Sequence, residues 1–310
     1  MINLLDYLYS QIDYKNQFLR KIRFYSAINK LLIVISNLVL PLYLSLGVGK
    51  YKLNKESNSE IVVTLTTFSK RINKVWLVIE LMMRQTYRPK KIVLCLLASE
   101  YPNIQSLPTR LQKQIERGLE VIFSPIDLKV HLKYFWAMQE YPLDLVVLLD
   151  DDVFYRTDLL ESLFNTHKQY PTCVCCNAGP EVQVDKDMPL PYENWKEWQK
   201  PLEPSRKILP LGVGGVLYPP NSLGDKVFFV DDFMKAVPKQ DDLWLYSMAM
   251  MANTKIVKSA LASRFLPIVS HQKIETLHAF NNLGGGNNLQ IRQLREYLLN
   301  RYEFDYLNLE

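Results

Sequence analysis

From residue 61 onward the apolar positions come in blocks whose period switches from strand-like to helix-like and back. IVVTLTT at 61–67 is an unbroken, β-branched-rich run, which predicts a strand buried on both faces. Between Asn73 and Arg84 the apolar residues Val75, Trp76, Val78, Ile79 and Met82 repeat with a helical period. KIVLCLLA at 91–98 predicts a second strand, and a helix over Leu111–Arg117 stops at Gly118, a suitable C-terminal cap. LEVIFSP at 119–125 gives a third strand, and a helix over 129–140 leads into LDLVVLLDDD, where an apolar run ends abruptly in three aspartates. Strands alternating with helices predict an α/β fold with an open, mostly parallel sheet flanked by helices.

The second half is less regular. A strand is expected at 172–176, then the proline-rich, aromatic loop PYENWKEWQKPLEPSRK, then a glycine-bearing strand over 208–220. A helix over 242–253, a short strand at 255–257, a Gly/Asn-rich stretch and a last helix over 288–302 complete the chain. Ahead of the alternating region, the polar stretch KLNKESNSE at 52–60 reads as a linker. It divides an N-terminal helical segment, 1–59, from a catalytic domain, 60–310, with one half at 60–155 and another at 156–310.

The N-terminal segment differs in charge as well as pattern. Residues 1–60 hold eight Lys and Arg against four Asp and Glu, so +4 of the chain's net +5 lies there. The body is close to neutral, which argues against nucleic acid as a partner. Between Lys30 and Lys50 run nineteen residues without a formal charge, which as a helix would extend roughly 28 Å. Three readings stand: an anchor on an anionic membrane surface helped by the basic flank, a helix packed on the catalytic domain, or a span, which Ser36, Asn37, Pro41, Gly47 and Gly49 disfavour. With 48% apolar residues the chain can bury one large core or two modest ones. Cys95, Cys173, Cys175 and Cys176 fall in apolar runs without the paired spacing of a zinc site, so they read as reduced, buried thiols of a cytoplasmic protein.

Chemistry concentrates at Asp150-Asp151-Asp152. Like charges crowded at the end of a buried strand repel unless a cation compensates. Oxygen-only ligands suit Mg2+ or Mn2+, ions that complete their shells with substrate phosphates. An acidic turn or a helix cap is the plainer alternative for the segment starting at Asp152.

Five segments in order, IVVTLTTFSKRI, VWLVIELMMRQTYRPKKIVLCL, DLKVHLKYFWAMQEYP before VVLLDDDVFY, GVGGVLYPP and DDLWLYSMAM, make residues 61–292 resemble bacterial glycosyltransferases of the GT-A class, related to the large inverting family of polysaccharide-building enzymes. The resemblance implies a GT-A fold and metal-dependent, inverting hexosyl transfer from a nucleotide-diphosphate sugar, UDP-linked by preference. The acceptor would be a glycan or lipid-linked oligosaccharide in cell-surface polysaccharide synthesis, at the inner face of the membrane. It places Thr66, Thr67 and Arg71 near base or diphosphate, Lys133 at the diphosphate or base, Asp150 and Asp152 on the metal, and Asp151 toward the ribose or sugar. Asp242, with Asp241 as runner-up, takes the place of the general base, and His271 or His278 that of a late third metal ligand. The chain departs from the family pattern at Asn177, where an arginine is expected, before Gln272, where a small residue is expected, and at Asn288, where an aspartate is expected.

Each residue also has a plainer reading: Arg71 as a solvated loop charge, Asp241 or Asp242 as a helix cap, His131 as a partly buried helix residue, Trp244 as core, and GVGG at 212–215 as relief of a strand bend. Trp195 and Trp198 suggest an aromatic lid over an acceptor cleft. Two functions of other classes compete: a nucleotidyltransferase, disfavoured because TLTTFSKRI lacks glycine, and a non-catalytic sugar-binding relative.

Overall fold

The computed structural model describes residues 1–11, 24–46, 51–53, 59–186, 188–261, 264–269 and 286–308. Seven strands form the main sheet: β1 (Ile61–Thr66), β2 (Lys91–Leu97), β3 (Leu119–Ser124), β4 (Leu145–Leu148), β6 (Val174–Cys176), β9 (Val216–Tyr218) and β10 (Ile256–Lys258), in the spatial order β10-β6-β9-β4-β1-β2-β3. Neighbours pair in parallel except β9, which runs antiparallel between β4 and β6. A short antiparallel ladder joins β5 (Val153–Phe154) to β11 (Leu266–Pro267), and β7 (Val184–Asp185) pairs with β8 (Met188–Pro189). The expected open, mostly parallel sheet with helices on both faces is therefore present.

Alternation along the strands feeds two cores. Val62, Val93, Val146 and Leu148 face α5 (Leu132–Glu140), α7 (Val230–Ala236), α8 (Asp241–Met251) and α9 (Gly286–Tyr302). Ile61, Val63, Leu94 and Val147 face α3 (Trp76–Met83), α4 (Thr109–Ile115) and α6 (Leu159–Gln169). The N-terminal helices α1 (Ile2–Ser10) and α2 (Phe24–Ser45) add Ile2, Leu40 and Leu44 to this second core. Within it, buried Glu80 receives Arg117 at 2.5 Å and Arg84 at 2.9 Å, which compensates its charge.

Several elements differ from the sequence expectation for identifiable reasons. The helix expected over 129–140 opens as a tight turn at Lys129–His131, because Lys129 has φ +54°, a left-handed conformation that a regular helix cannot pass through. The strand expected over 208–220 is reduced to three residues. Gly212–Gly214 form another tight turn and Gly215 has φ +79°, which breaks the extended run. A Cβ at Gly214 would stand 2.6 Å from that of Ala178, so close backbone approach explains this glycine. Helices α6 and α7 were not anticipated. The start of the expected linker is packed: Leu53 N–H donates to the Arg117 carbonyl, and Arg117 donates back to that of Tyr51. All four cysteines are free and buried.

Candidate active site

In the sheet order, β2 and β3 extend to one side of β1 and β4 lies on the other, which makes the β1–β4 boundary a switch point where open α/β sheets bind ligands. The aspartate triplet follows β4 directly there, and Thr66 and Thr67 end β1 beside it. Asp151 is buried, and its oxygens are taken by Thr67 Oγ1 at 2.5 Å and Arg71 Nη1 at 2.7 Å. The same Arg71 nitrogen reaches Asp152 Oδ2 at 2.7 Å, so this cation ties the β1 loop to two members of the triplet. Thr66 turns its hydroxyl to the Cys95 carbonyl on β2, a strand-to-strand bond.

Asp150 belongs to a second group. Its Oδ1 accepts from Lys133 Nζ at 2.7 Å, and Lys133 also pairs with Asp241 Oδ2 at 2.8 Å. Lys133 comes from the first turn of α5, which the Thr64 hydroxyl fixes by donating to the Lys133 carbonyl. Burial alone would depress the Lys133 ammonium, but Asp150, Asp241 and Asp242 outweigh it and hold its pKa well above the ordinary value. Asp241 and Asp242 occupy the first turn of α8, where the helix dipole favours negative charge. Neither makes a side-chain capping bond, since Gln240 holds the cap position; the capping explanation fails for both.

Asp242 Oδ1 accepts the Gly212 N–H at 3.0 Å. A Cβ at Gly212 would lie 3.0 Å from Lys133 Nζ, 3.1 Å from Asp150 Oδ1 and 3.2 Å from Asp242 Oδ1, so these three charged ends converge on one backbone position. Desolvation, with Asp241 and Asp150 nearby, pushes the Asp242 carboxyl well above the usual range. Burial and Asp150 likewise raise Asp152, to about 6, although 37% of its side chain meets solvent.

Two groups that sequence reasoning missed complete the frame. Tyr155 Oη accepts the Asp150 N–H at 2.9 Å; its place three residues after the triplet was the available signal. Tyr192 lies near enough for the Asp242 charge to help burial raise its phenol to about 12. Other candidates lie elsewhere. Trp195 and Trp198 are buried, and their indole N–H groups donate to the Leu190 and Lys200 carbonyls, so they are clamped into the core instead of covering a cleft. Trp244 is wholly buried. His131 is fully buried, bonded to the Val237 carbonyl and stacked on Phe233, which keeps it neutral with a pKa lowered to about 4 by desolvation. Asn177 donates to the Gly214 carbonyl and pairs with Ser259, an internal brace. His271 and His278 fall outside the described residues.

No protein-family model matches the chain, and no curated protein does. One similar solved structure is mannosyltransferase PcManGT from Pyrobaculum calidifontis in complex with GDP-Man and Mn2+: 13% identity over 88% of this chain and 74% of that one, TM-score 0.48. Another is S. aureus TarS 1–349, at 12% identity over 80% and 73%, TM-score 0.41. CMP:2-keto-3-deoxy-manno-octonic acid synthetase complexed with CTP aligns at 14% identity over 76% and 99%, TM-score 0.39. Likenesses this distant carry no argument about the chemistry of this chain.

Proposed function

We propose that the chain is a GT-A-type glycosyltransferase that moves a hexosyl group from a nucleotide-diphosphate sugar to an acceptor hydroxyl of a glycan or lipid-linked saccharide, with a divalent metal and with inversion. The observation that carries this reading is a division of labour within one cluster. Asp150 and Asp152 are partly exposed beyond the end of β4, and Lys133 and Gly212 bring Asp150 together with Asp242, whose carboxyl is made proton-avid by burial.

The donor set fits a hard cation. Leaving aside proton-avid Asp242, four carboxylates (Asp150, Asp151, Asp152 and Asp241) meet two cationic side chains, Lys133 and Arg71, which leaves an excess of negative charge. Among the described residues no three His, Cys, Asp or Glu side chains converge as a ready cage. Mg2+ and Mn2+ need none, since one or two carboxylates plus substrate phosphates complete their shells. Asp150 and Asp152 would hold the ion, which when bound would offset the charge of the departing diphosphate.

The remaining work falls to the chain. Thr67 and Arg71 fix Asp151, so the β1 loop and the triplet keep one spacing and the ligating carboxylates need not reorganise during transfer. Lys133 supplies a fixed positive charge beside Asp150. Asp242, with its raised pKa, accepts the proton of the acceptor hydroxyl as that oxygen attacks the anomeric carbon. Asp241 is held by Lys133, which makes Asp242 the better base.

The test is a screen of nucleotide sugars with Mn2+, read by nucleoside diphosphate release, with Asp242→Asn alongside. Asparagine keeps the size and the acceptor oxygen for Gly212 N–H but cannot take a proton. Turnover should fall about 100- to 10,000-fold with donor affinity unchanged. A chain inert in this screen that releases pyrophosphate from a nucleoside triphosphate and a sugar or sugar phosphate would instead establish nucleotidyl transfer, and a retained anomeric configuration would overturn the single-displacement mechanism.

A further inference from the structure

The most unusual surface lies away from the carboxylates, on α2. Its exposed positions recur at Leu31, Val34, Ile35, Leu38, Leu42 and Leu46, with side chains 57%, 55%, 38%, 66%, 71% and 71% exposed. This is a single helical stripe, apolar between Lys30 at one end and Ser45 at the other. Helix α1 packs beside it and turns Leu4, Tyr7 and Leu8 outward as well. Water-facing stripes of this extent mark contact with something apolar.

The opposite face is locked. Ser36, Leu40 and Leu44 are fully buried against the second core. Asn37 holds β11 through two bonds, donating to the Pro267 carbonyl at 2.9 Å and accepting the Val269 N–H at 2.9 Å. Arg84 closes the C-terminal end by donating to the Leu44 and Leu46 carbonyls. A helix held this way cannot turn all its sides to hydrocarbon. Its length and composition, which alone would suffice for a span, therefore serve a one-sided contact.

Charge selects the occupant. Residues 24–46 contain no Asp or Glu, exposed Lys30 stands on the stripe, and Arg110 reaches Ser45 at the far end. In sequence, Arg20, Lys21 and Arg23 precede the helix and Lys50 and Lys52 follow it. An apolar stripe flanked at both ends by cations is complementary to an anionic lipid surface, where acyl chains meet headgroups.

We propose that α2 is an interfacial helix, seated on an anionic membrane surface by its Leu31–Ile35–Leu38–Leu42 stripe while its other face stays bound to the sheet. The inference does not depend on the reaction catalysed. It also links the lipid contact to the candidate site, because β11 pairs with β5 and Ile268 N–H donates to the Asp152 carbonyl at 2.7 Å.

The test is co-sedimentation of the full chain with phosphatidylcholine–phosphatidylserine vesicles and with phosphatidylcholine alone. The chain should bind the anionic vesicles, more weakly at high salt, and Leu38→Glu with Leu42→Glu should weaken binding at least about tenfold. Because both side chains are largely exposed, the thermal midpoint of this double variant should match the parent's. Leu40→Glu, on the locked face, should instead unfold the domain. Unaltered vesicle binding by the double variant would overturn the proposal. So would a concentration-dependent dimer that the same substitutions abolish, which would assign the stripe to a second copy of the chain. Binding resistant to salt and carbonate, released only by detergent, would establish a span and refute it too.

Discussion

Gly212→Ala removes no charge, ligand or hydrogen bond, yet it tests whether the convergence of Lys133, Asp150 and Asp242 matters. The added methyl would stand 3.0 Å, 3.1 Å and 3.2 Å from Nζ, Oδ1 and Oδ1 of those residues. Comfortable contact begins near 3.5 Å, so each group must retreat by about 0.3–0.5 Å. All three are the ends of flexible side chains, and among the described glycines only Gly118, Gly215 and Gly224 have positive φ, so Gly212 carries no such strain. The overpacking cost is therefore near the low end of its range, about 1 kcal/mol. Alanine also narrows the unfolded ensemble and returns about 0.4–1 kcal/mol. Net stability should hardly change, and the midpoint should stay within about 4 °C of the parent. Turnover should suffer more, because small displacements of a base and its electrostatic partners cost about 10- to 100-fold. Thermal melts and steady-state kinetics on one preparation separate the two effects. A variant with normal turnover would show that these three side chains do not form the reacting centre.

Three further outcomes follow from the same contacts. Asp152→Ala should abolish metal-dependent strengthening of nucleotide binding, read by titration calorimetry with and without Mn2+, while the fold survives because a crowded negative charge has gone. His131, with a folded pKa near 4 against an unfolded value near 6.5, contributes stability that is full above about pH 6.5 and lost as pH falls toward 4. Denaturant melts across that window should show up to about 3 kcal/mol of pH dependence in the parent that His131→Gln lacks. Asn37→Ala strips two hydrogen bonds from β11 and should cost about 1–3 kcal/mol, read as a lowered denaturation midpoint; an unchanged midpoint would show that α2 does not hold that strand.

The legible parts of the chain were those whose physics is local. β1, β2 and β4 are runs buried on both faces, and such runs appear in sequence as unbroken apolar stretches. The aspartates after β4 stood out because charge at the end of such a strand calls for a partner. What stayed hidden depended on pairing. The β5–β11 ladder joins segments more than a hundred residues apart, and each strand is two residues long, too short to carry a period. Trp195 and Trp198 misled because tryptophans in a proline-rich loop look like a mobile wall. Here backbone carbonyls from the same loop receive their N–H groups, and burial then costs little. For α2 the packed-helix reading holds for the face of Ser36, Leu40 and Leu44, and the exposed face is what the membrane proposal rests on.

Lys133 shows why candidate residues can be picked one by one from the sequence while their arrangement cannot. Its position on α5, two residues after His131, gives no hint that its ammonium reaches both Asp150, 17 residues on, and Asp241, more than a hundred residues on. Those partners meet because β4 ends and α8 begins on the same side of the sheet, a property of the connections between elements. The ammonium thereby joins the Asp150 carboxylate beyond β4 to the Asp241 carboxylate at the start of α8. Breaking a buried pair by removing one partner leaves unpaired charge behind, at a cost of about 3–5 kcal/mol. Lys133 therefore both ties β4 to α8 and sets the charge against which Asp242 is poised. An isosteric neutral residue there would raise the Asp152 and Asp242 carboxyls further and leave Asp150 and Asp241 without the buried cation they share.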